Sequence, residues 1–108
     1  MVGRTVTVTV DRPLGSYHPK FPRMRYPVNY GYVEGIPGGD GQWQDAYILG
    51  ISEPVSRMEG RVIAVIRRLD DVEDKWVVAP SGMRFSEEEI RYSTYFQERY
   101  FTVEIRLV

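Results

Sequence analysis

The chain has 108 residues, 43% hydrophobic and 27% charged, with 14 Lys and Arg against 15 Asp and Glu and a net charge of -1. This is the size and balance of one soluble globular domain over residues 1–108, and the near-zero charge excludes a global field drawing the protein to nucleic acid or anionic lipid. Zero cysteines exclude disulfides and thiolate metal sites, and the single histidine, His18, excludes a multi-histidine zinc centre, so any metal must be held by oxygen.

The first residues, MVGRTVTVTV, alternate instead of forming a signal peptide's apolar block, and no apolar run approaches a membrane span; the chain reads as cytoplasmic, with no membrane partner. Thr5 to Val10 has a strict period of two, Val on one face and Thr on the other, which predicts a half-buried strand. Residues 11–27, DRPLGSYHPKFPRMRYP, carry four prolines and a glycine and predict a loop or an edge with turns. Val28 to Val33 and Ala46 to Ile51 read as strands joined across the turn cluster PGGDG. Arg61 to Leu69 and Lys75 to Val78 read as two more, joined by DDVED.

Ser86 stands three residues before Glu89, with Phe85 and Ile90 on either side, the pattern of a capping box inside a hydrophobic staple. Glu87 to Glu89 sit where the helix dipole favours negative charge. These signals predict a helix over about 86–100 that buries Ile90, Phe96 and Tyr100, followed by a final strand from Phe101 to Leu107. The expected fold is mostly β, of the α+β kind: a small, closed, mainly antiparallel five-stranded barrel with one C-terminal helix packed on it.

Acids concentrate in the strand connections, Asp40 and Asp45 at the first and Asp70, Asp71, Glu73 and Asp74 in the second. If the strands bring these turns together, their like charges repel unless a cation holds them, and Mg²⁺ suits a few carboxylates plus water and phosphate oxygens. The competing reading is that the acids are solvated turn residues. Tyr26, Tyr30 and Tyr32 fit either cross-strand packing or functional hydroxyls. Arg67 and Arg68 read as solvated strand-end charges, Trp43 and Trp76 as packing residues, and His18 as structural or exposed.

The stretch YPVNYGY at 26–32, followed by Asp40-Gly41 and Asp45, resembles the soluble family I inorganic pyrophosphatases, which have a YPxNYG strand and a D-G-D-P-x-D loop. Val62 to Asp70 and Glu73 to Pro80 are similar to the family's second acidic loop and its K-x-x-x-x-P, so the likeness runs over roughly residues 26–80. Asp11 to Ser16 is a weaker likeness to the family's E-x-P-x-G-S turn. The resemblance implies a five-stranded barrel of the OB type and Mg²⁺-dependent hydrolysis of pyrophosphate, or a related phosphoanhydride, to phosphate.

By the same resemblance, Asp40, Asp45 and Asp70 match metal-binding aspartates, with either Glu73 or Asp74 as the next acid and Asp11 at an outer glutamate of the metal site. Lys75 matches a phosphate-binding lysine, Tyr30 a tyrosine that hydrogen-bonds phosphate, and Tyr26 one that lines the site. Tyr100 matches the tyrosine of a Tyr-Lys pair, Arg23 or Arg25 the family's arginine, and Lys20 or His18 its early lysine. The departures are as specific. Gln42 replaces the middle acid of D-G-D-P-x-D, Trp43 replaces its proline, and Phe101 stands where the pair's lysine belongs. The chain is also shorter than typical members, a short rim that invites self-association into a homo-oligomer.

Three readings follow. The first is a short pyrophosphatase. The second is a pyrophosphatase-like protein that has lost turnover and binds phosphate, metal or a nucleotide. The third is an OB-type nucleic-acid binder stacking bases on Tyr26, Tyr30 and Tyr32, which the near-neutral charge and the acids disfavour.

Overall fold

The computed structural model describes residues 3–107. In chain order it contains β1 (Thr5–Arg12), β2 (Asn29–Pro37), β3 (Trp43–Ile48), β4 (Arg57–Arg68), β5 (Asp74–Ala79), α1 (Glu87–Glu98) and β6 (Val103–Leu107). The strands run in the order β1-β2-β3-β5-β4, and β1 also pairs with β4, so five strands close on themselves into a barrel. All of these pairings are antiparallel except β3 with β5. β4 is long enough to serve two partners along one edge. Arg57 to Arg61 close the barrel against β1, and Ala64 to Arg68 accept β6.

β1 alternates as its sequence requires, with Val6 and Val8 buried inside the barrel beside Val33, Ala46, Ile48, Val62, Trp76 and Val78. β3 and β5 do not alternate, because both of their faces are covered. Ala46, Ile48, Trp76 and Val78 face the barrel interior, while Tyr47, Leu49 and Val77 join Ala64, Ile66, Ile90 and Ile105 in a second core. The predicted strand at Ala46 to Ile51 starts earlier and stops earlier. Gly50 has φ +88, which leaves the ladder, while Trp43 and Gln44 extend it backwards by pairing with Pro37 and Val33. Trp76 packs in the core as expected, but Trp43 is exposed.

α1 begins as its sequence predicts. Ser86 Oγ accepts the Glu89 N–H at 3.1 Å, and Glu89 Oε1 accepts the Ser86 N–H at 2.8 Å. The helix is amphipathic in an unusual way: its buried stripe is Ile90, Thr94 and Glu98, one apolar residue followed by two polar ones. Thr94 Oγ1 donates to the Ile90 carbonyl, and Glu98 is answered from the barrel by Arg68. The helix ends at Glu98, two residues earlier than predicted, so Tyr100 lies in the following turn and is 66% exposed instead of buried.

Arg68 corrects the sequence reading most sharply. Beyond the bulge between Val62 and Ala64 it lies on the same strand face as Ala64 and Ile66, and that period of two carries its guanidinium under the helix, beside the second core. Nε and Nη2 donate to the two carboxylate oxygens of Glu98 at 2.9 and 2.7 Å, and the plane sits 3.7 Å over the Phe101 ring. Tyr47 completes the arrangement by donating its hydroxyl hydrogen to Glu98 Oε2 at 2.6 Å. A buried ion pair adds little net stability over an apolar pair, but removing one member strands the other. Glu98→Leu should therefore cost about 3 kcal/mol in urea unfolding, and Arg68→Met added to it should recover most of that loss. If the double variant is no more stable than the single one, Glu98 is not the partner that keeps Arg68 inside.

Candidate active site

The mouth of the barrel is built where the 37–43 turn meets the 69–73 turn. Gly39 makes that meeting possible, since a Cβ there would overlap the Val72 carbonyl of the opposite turn. Asp40 then folds its own loop: Oδ1 accepts the Gln42 N–H at 3.0 Å across Gly41, which has φ +83. The result is that ligand-type oxygens of Asp40, Asp45 and Glu73 all lie within 4.8 Å of one another.

Lys75, on β5, reaches into this cluster with its side chain only 4% exposed. Its ammonium donates to Asp45 Oδ2 at 2.6 Å, to Tyr30 Oη at 3.0 Å and to Glu73 Oε2 at 3.2 Å. Those contacts commit all of its three hydrogens. Burial alone would lower the Lys75 pKa, but the neighbouring Tyr30 oxygen and the Asp45 carboxylate outweigh it, so the group is held above its ordinary value and stays charged. Tyr30 is raised by burial against the pull of Lys75 and stays a neutral hydroxyl.

Asp40 and Glu73 face each other across the mouth, with carboxylate oxygens within 4.8 Å. Accepting from the Glu73 carboxyl and from the Gln42 N–H lowers Asp40. Burial raises Glu73, the contact with Asp40 raises it further, and Lys75 opposes both. Facing carboxylates repel unless positive charge offsets them, here in part the ammonium of Lys75 and the guanidinium of Arg68. The donor set is three carboxylates with no nitrogen or sulfur, which fits a hard divalent ion such as Mg²⁺.

The positions of the predicted residues are uneven. Of the two alternatives for the fourth acid, it is Glu73 that joins Asp40 and Asp45; Asp74 is exposed at the start of β5, its backbone carbonyl accepting from Gln44 Nε2 at 2.7 Å. Asp70 stands apart from the cluster. β6 lies along the end of β4 and offers the Thr102 N–H, which both Asp70 oxygens accept at 3.2 Å. Asp11 is near enough to Asp45 for their charges to oppose: partial burial raises its carboxyl and Arg12 lowers it, with Asp45 adding a smaller upward push.

Tyr26 is 1% exposed and its ring packs against Tyr30 and Phe96, so it cannot serve as an open stacking platform for bases. Its hydroxyl donates to Gln97 Oε1 at 3.2 Å. Asn29, inside the YPVNYG stretch, pins two loops. Its Oδ1 accepts from the Leu14 and Val55 backbones, and its Nδ2 donates to the Glu53 carbonyl.

A cavity of about 1080 Å³ opens from Lys75 outward between the 13–28 loop and the C-terminal end of α1. Arg25, Tyr26, Tyr30, Lys75 and Tyr100, the five positions matched from the sequence to the substrate side, all line it, and Arg12 joins them. Arg68 lines its floor, where Nη1 donates to Glu73 Oε2 at 3.2 Å and to Asp71 Oδ2 at 3.4 Å. Sequence reasoning missed Arg68, Glu98 and Arg12. For the first two the signal was their phase: an arginine at core parity on a strand and a glutamate at i+8 from Ile90 on a helix.

No protein-family model matches the chain, and no curated protein sequence matches it. Solved structures do. The chain is similar to the crystal structure of inorganic pyrophosphatase from Ehrlichia chaffeensis, with a TM-score of 0.75 and 19% identity, over 100% of this chain and 88% of that one. It is similar to an inorganic pyrophosphatase from Neisseria gonorrhoeae at a TM-score of 0.66 and 22% identity, covering 91% and 74%, and to that from Thermus thermophilus at 0.64 and 16%, covering 94% and 80%. At these identities the likeness establishes a shared fold: the chain is built on the barrel of the inorganic pyrophosphatases.

Proposed function

We propose that the protein binds pyrophosphate or a related phosphoanhydride at the mouth of its barrel and hydrolyses it with Mg²⁺. The observation that carries this reading is the convergence of Asp40, Asp45 and Glu73 with Lys75 and Tyr30 at the inner end of an arginine-lined cavity. Asp40, Asp45 and Glu73 would hold the ion, which supplies charge neutralisation at the phosphoryl oxygens and activation of water. The Lys75 ammonium and the Tyr30 hydroxyl bind phosphate oxygens, and a phosphate that reaches Lys75 displaces one of its three present acceptors. Arg12 and Arg25 neutralise the distal end of the ligand from the cavity wall.

Two features favour a second reading, binding without turnover. Gln42 carries no charge and accepts no proton, and the acids of the mouth are already partly neutralised by Lys75 and Arg68. Release of phosphate from pyrophosphate, with and without Mg²⁺, separates the two.

Mg²⁺ at ten times its Kd should stabilise the fold by about 1.4 kcal/mol and raise Tm by about 5–10 °C, an effect lost on chelation. Asp45→Asn and Glu73→Gln should abolish that rise and lower pyrophosphate hydrolysis by about a hundredfold or more, whereas Asp70→Asn should leave both intact. A loss of the Mg²⁺ response in Asp70→Asn would return that residue to the metal site.

Gln42→Asp should raise turnover by up to about a hundredfold, and Gln42→Asp with Trp43→Pro should do so if Trp43 holds the loop on another path. If both variants bind Mg²⁺ and pyrophosphate yet release no phosphate, the protein is a binding module.

A further inference from the structure

The cavity is far larger than a pyrophosphate needs. Its volume of about 1080 Å³ stands at the top of the roughly 300–1,000 Å³ range that encloses drug-sized ligands. Its charge is equally lopsided: Arg12, Arg23, Arg25, Arg68, Lys75 and Arg99 line it against one carboxylate, Glu73, in a chain of net charge -1. Arg68 and Lys75 are spent on the acids of the barrel mouth. Arg12 has Asp11 at 3.7 Å, and among the described residues Arg23, Arg25 and Arg99 form no ion pair. This outer group of guanidinium ions calls for a ligand with several negative charges.

An inorganic phosphate chain would leave the rest of the lining without a purpose. Phe21, from the 13–28 loop, is 57% exposed and Tyr100, from the turn after α1, is 66% exposed, yet both border the cavity. Phe21 has the His18 ring tilted against it at 4.8 Å and stays more than half exposed, whereas Tyr26 is covered by Tyr30 and Phe96, and Phe101 by the guanidinium of Arg68. Arg99 lies 5.6 Å from the Tyr100 ring centre, so a cation stands beside one of the two open aromatic surfaces. Open rings flanked by unpaired arginines are the chemistry that stacks a planar base while neutralising the phosphates attached to it.

We propose that the outer half of the cavity is a subsite for the nucleoside of a nucleoside 5′-polyphosphate, with the base on Phe21 or Tyr100 and the phosphate chain running inward past Arg23, Arg25 and Arg99 to Lys75. The inference rests on the reading that a phosphoanhydride occupies the inner site, and it names the class of that ligand.

Titration calorimetry with a hydrolysis-resistant imido analogue of ATP and with inorganic tripolyphosphate, each with and without Mg²⁺, tests it. The nucleotide analogue should bind at least about tenfold more tightly than tripolyphosphate, which has the same phosphate chain and no base. Phe21→Ala with Tyr100→Ala should erase that advantage, whereas Tyr100→Phe, which keeps the ring and removes only the hydroxyl on the phosphate side, should preserve it; both rings are exposed, so the fold does not depend on them. Arg23→Ser with Arg25→Ser should weaken both ligands. Equal affinity for the two ligands, or an advantage that survives loss of both rings, overturns the subsite while leaving the phosphoanhydride reading in place. Failure of tripolyphosphate and pyrophosphate alike to bind removes that reading too. A single-stranded oligonucleotide that binds more tightly than the analogue overturns the assignment in favour of nucleic acid.

Discussion

Glu73 accepts from two buried cations at once, from Lys75 Nζ at 3.2 Å and from Arg68 Nη1 at 3.2 Å, and the mouth of the barrel is organised around that shared carboxylate. Through Lys75 it is tied to Asp45 and Tyr30 on neighbouring strands, and through Arg68 to Glu98 on the helix and Tyr47 below it. Without these cations the acids of two facing turns would repel across the narrow approach that Gly39 allows. With them, every buried side-chain polar atom among the described residues has a partner. The helix is docked by the same network, since two of its three buried residues are polar and one of these is the carboxylate that receives Arg68.

That network divides the cavity into two layers of different chemical character. The inner layer is saturated: Lys75 has no hydrogen to spare, and Arg68 has given its fork to Glu98. A ligand entering there competes with existing hydrogen bonds and gains only the difference, which favours a strongly charged oxyanion over a neutral group. The outer layer is open: among the described residues Arg23, Arg25 and Arg99 form no ion pair, and Phe21 and Tyr100 are more than half exposed. In the proposed site, charge selection would belong to the first layer and shape selection to the second.

The barrel was legible in the sequence because its local signals agree with its packing. The alternation of Thr5 to Val10, the capping box at Ser86 and the turn residues at PGGDG each correspond to the element they announce. The likeness of 26–80 to pyrophosphatases brought Asp40, Asp45, Lys75 and Tyr30 together with either Glu73 or Asp74, and of those two it is Glu73 that lies in the cluster. What stayed hidden depends on contacts between distant segments. Nothing near Arg68 in the chain announces Glu98, thirty residues on, and nothing near Asp70 announces the Thr102 N–H, thirty-two residues on. Tyr100 was misplaced for a simpler reason: the helix frays into a turn after Glu98, and the last residues of a helix are where pattern is weakest.

The pairing of β1 with β4 has a consequence for how the chain reaches this state. Thr5 meets Arg61 and Thr9 meets Arg57, so the contact that shuts the barrel joins segments about fifty residues apart. The parallel β3–β5 pair needs its own crossover, through all of β4. Loop entropy must be surrendered before either pairing returns any stabilisation, and chains dominated by such non-local pairings fold in about milliseconds to seconds. The two acid-bearing turns belong to the β2–β3 and β4–β5 connections, so the parallel β3–β5 pairing is what brings them side by side. Until that pairing forms, their carboxylates are ordinary solvated side chains.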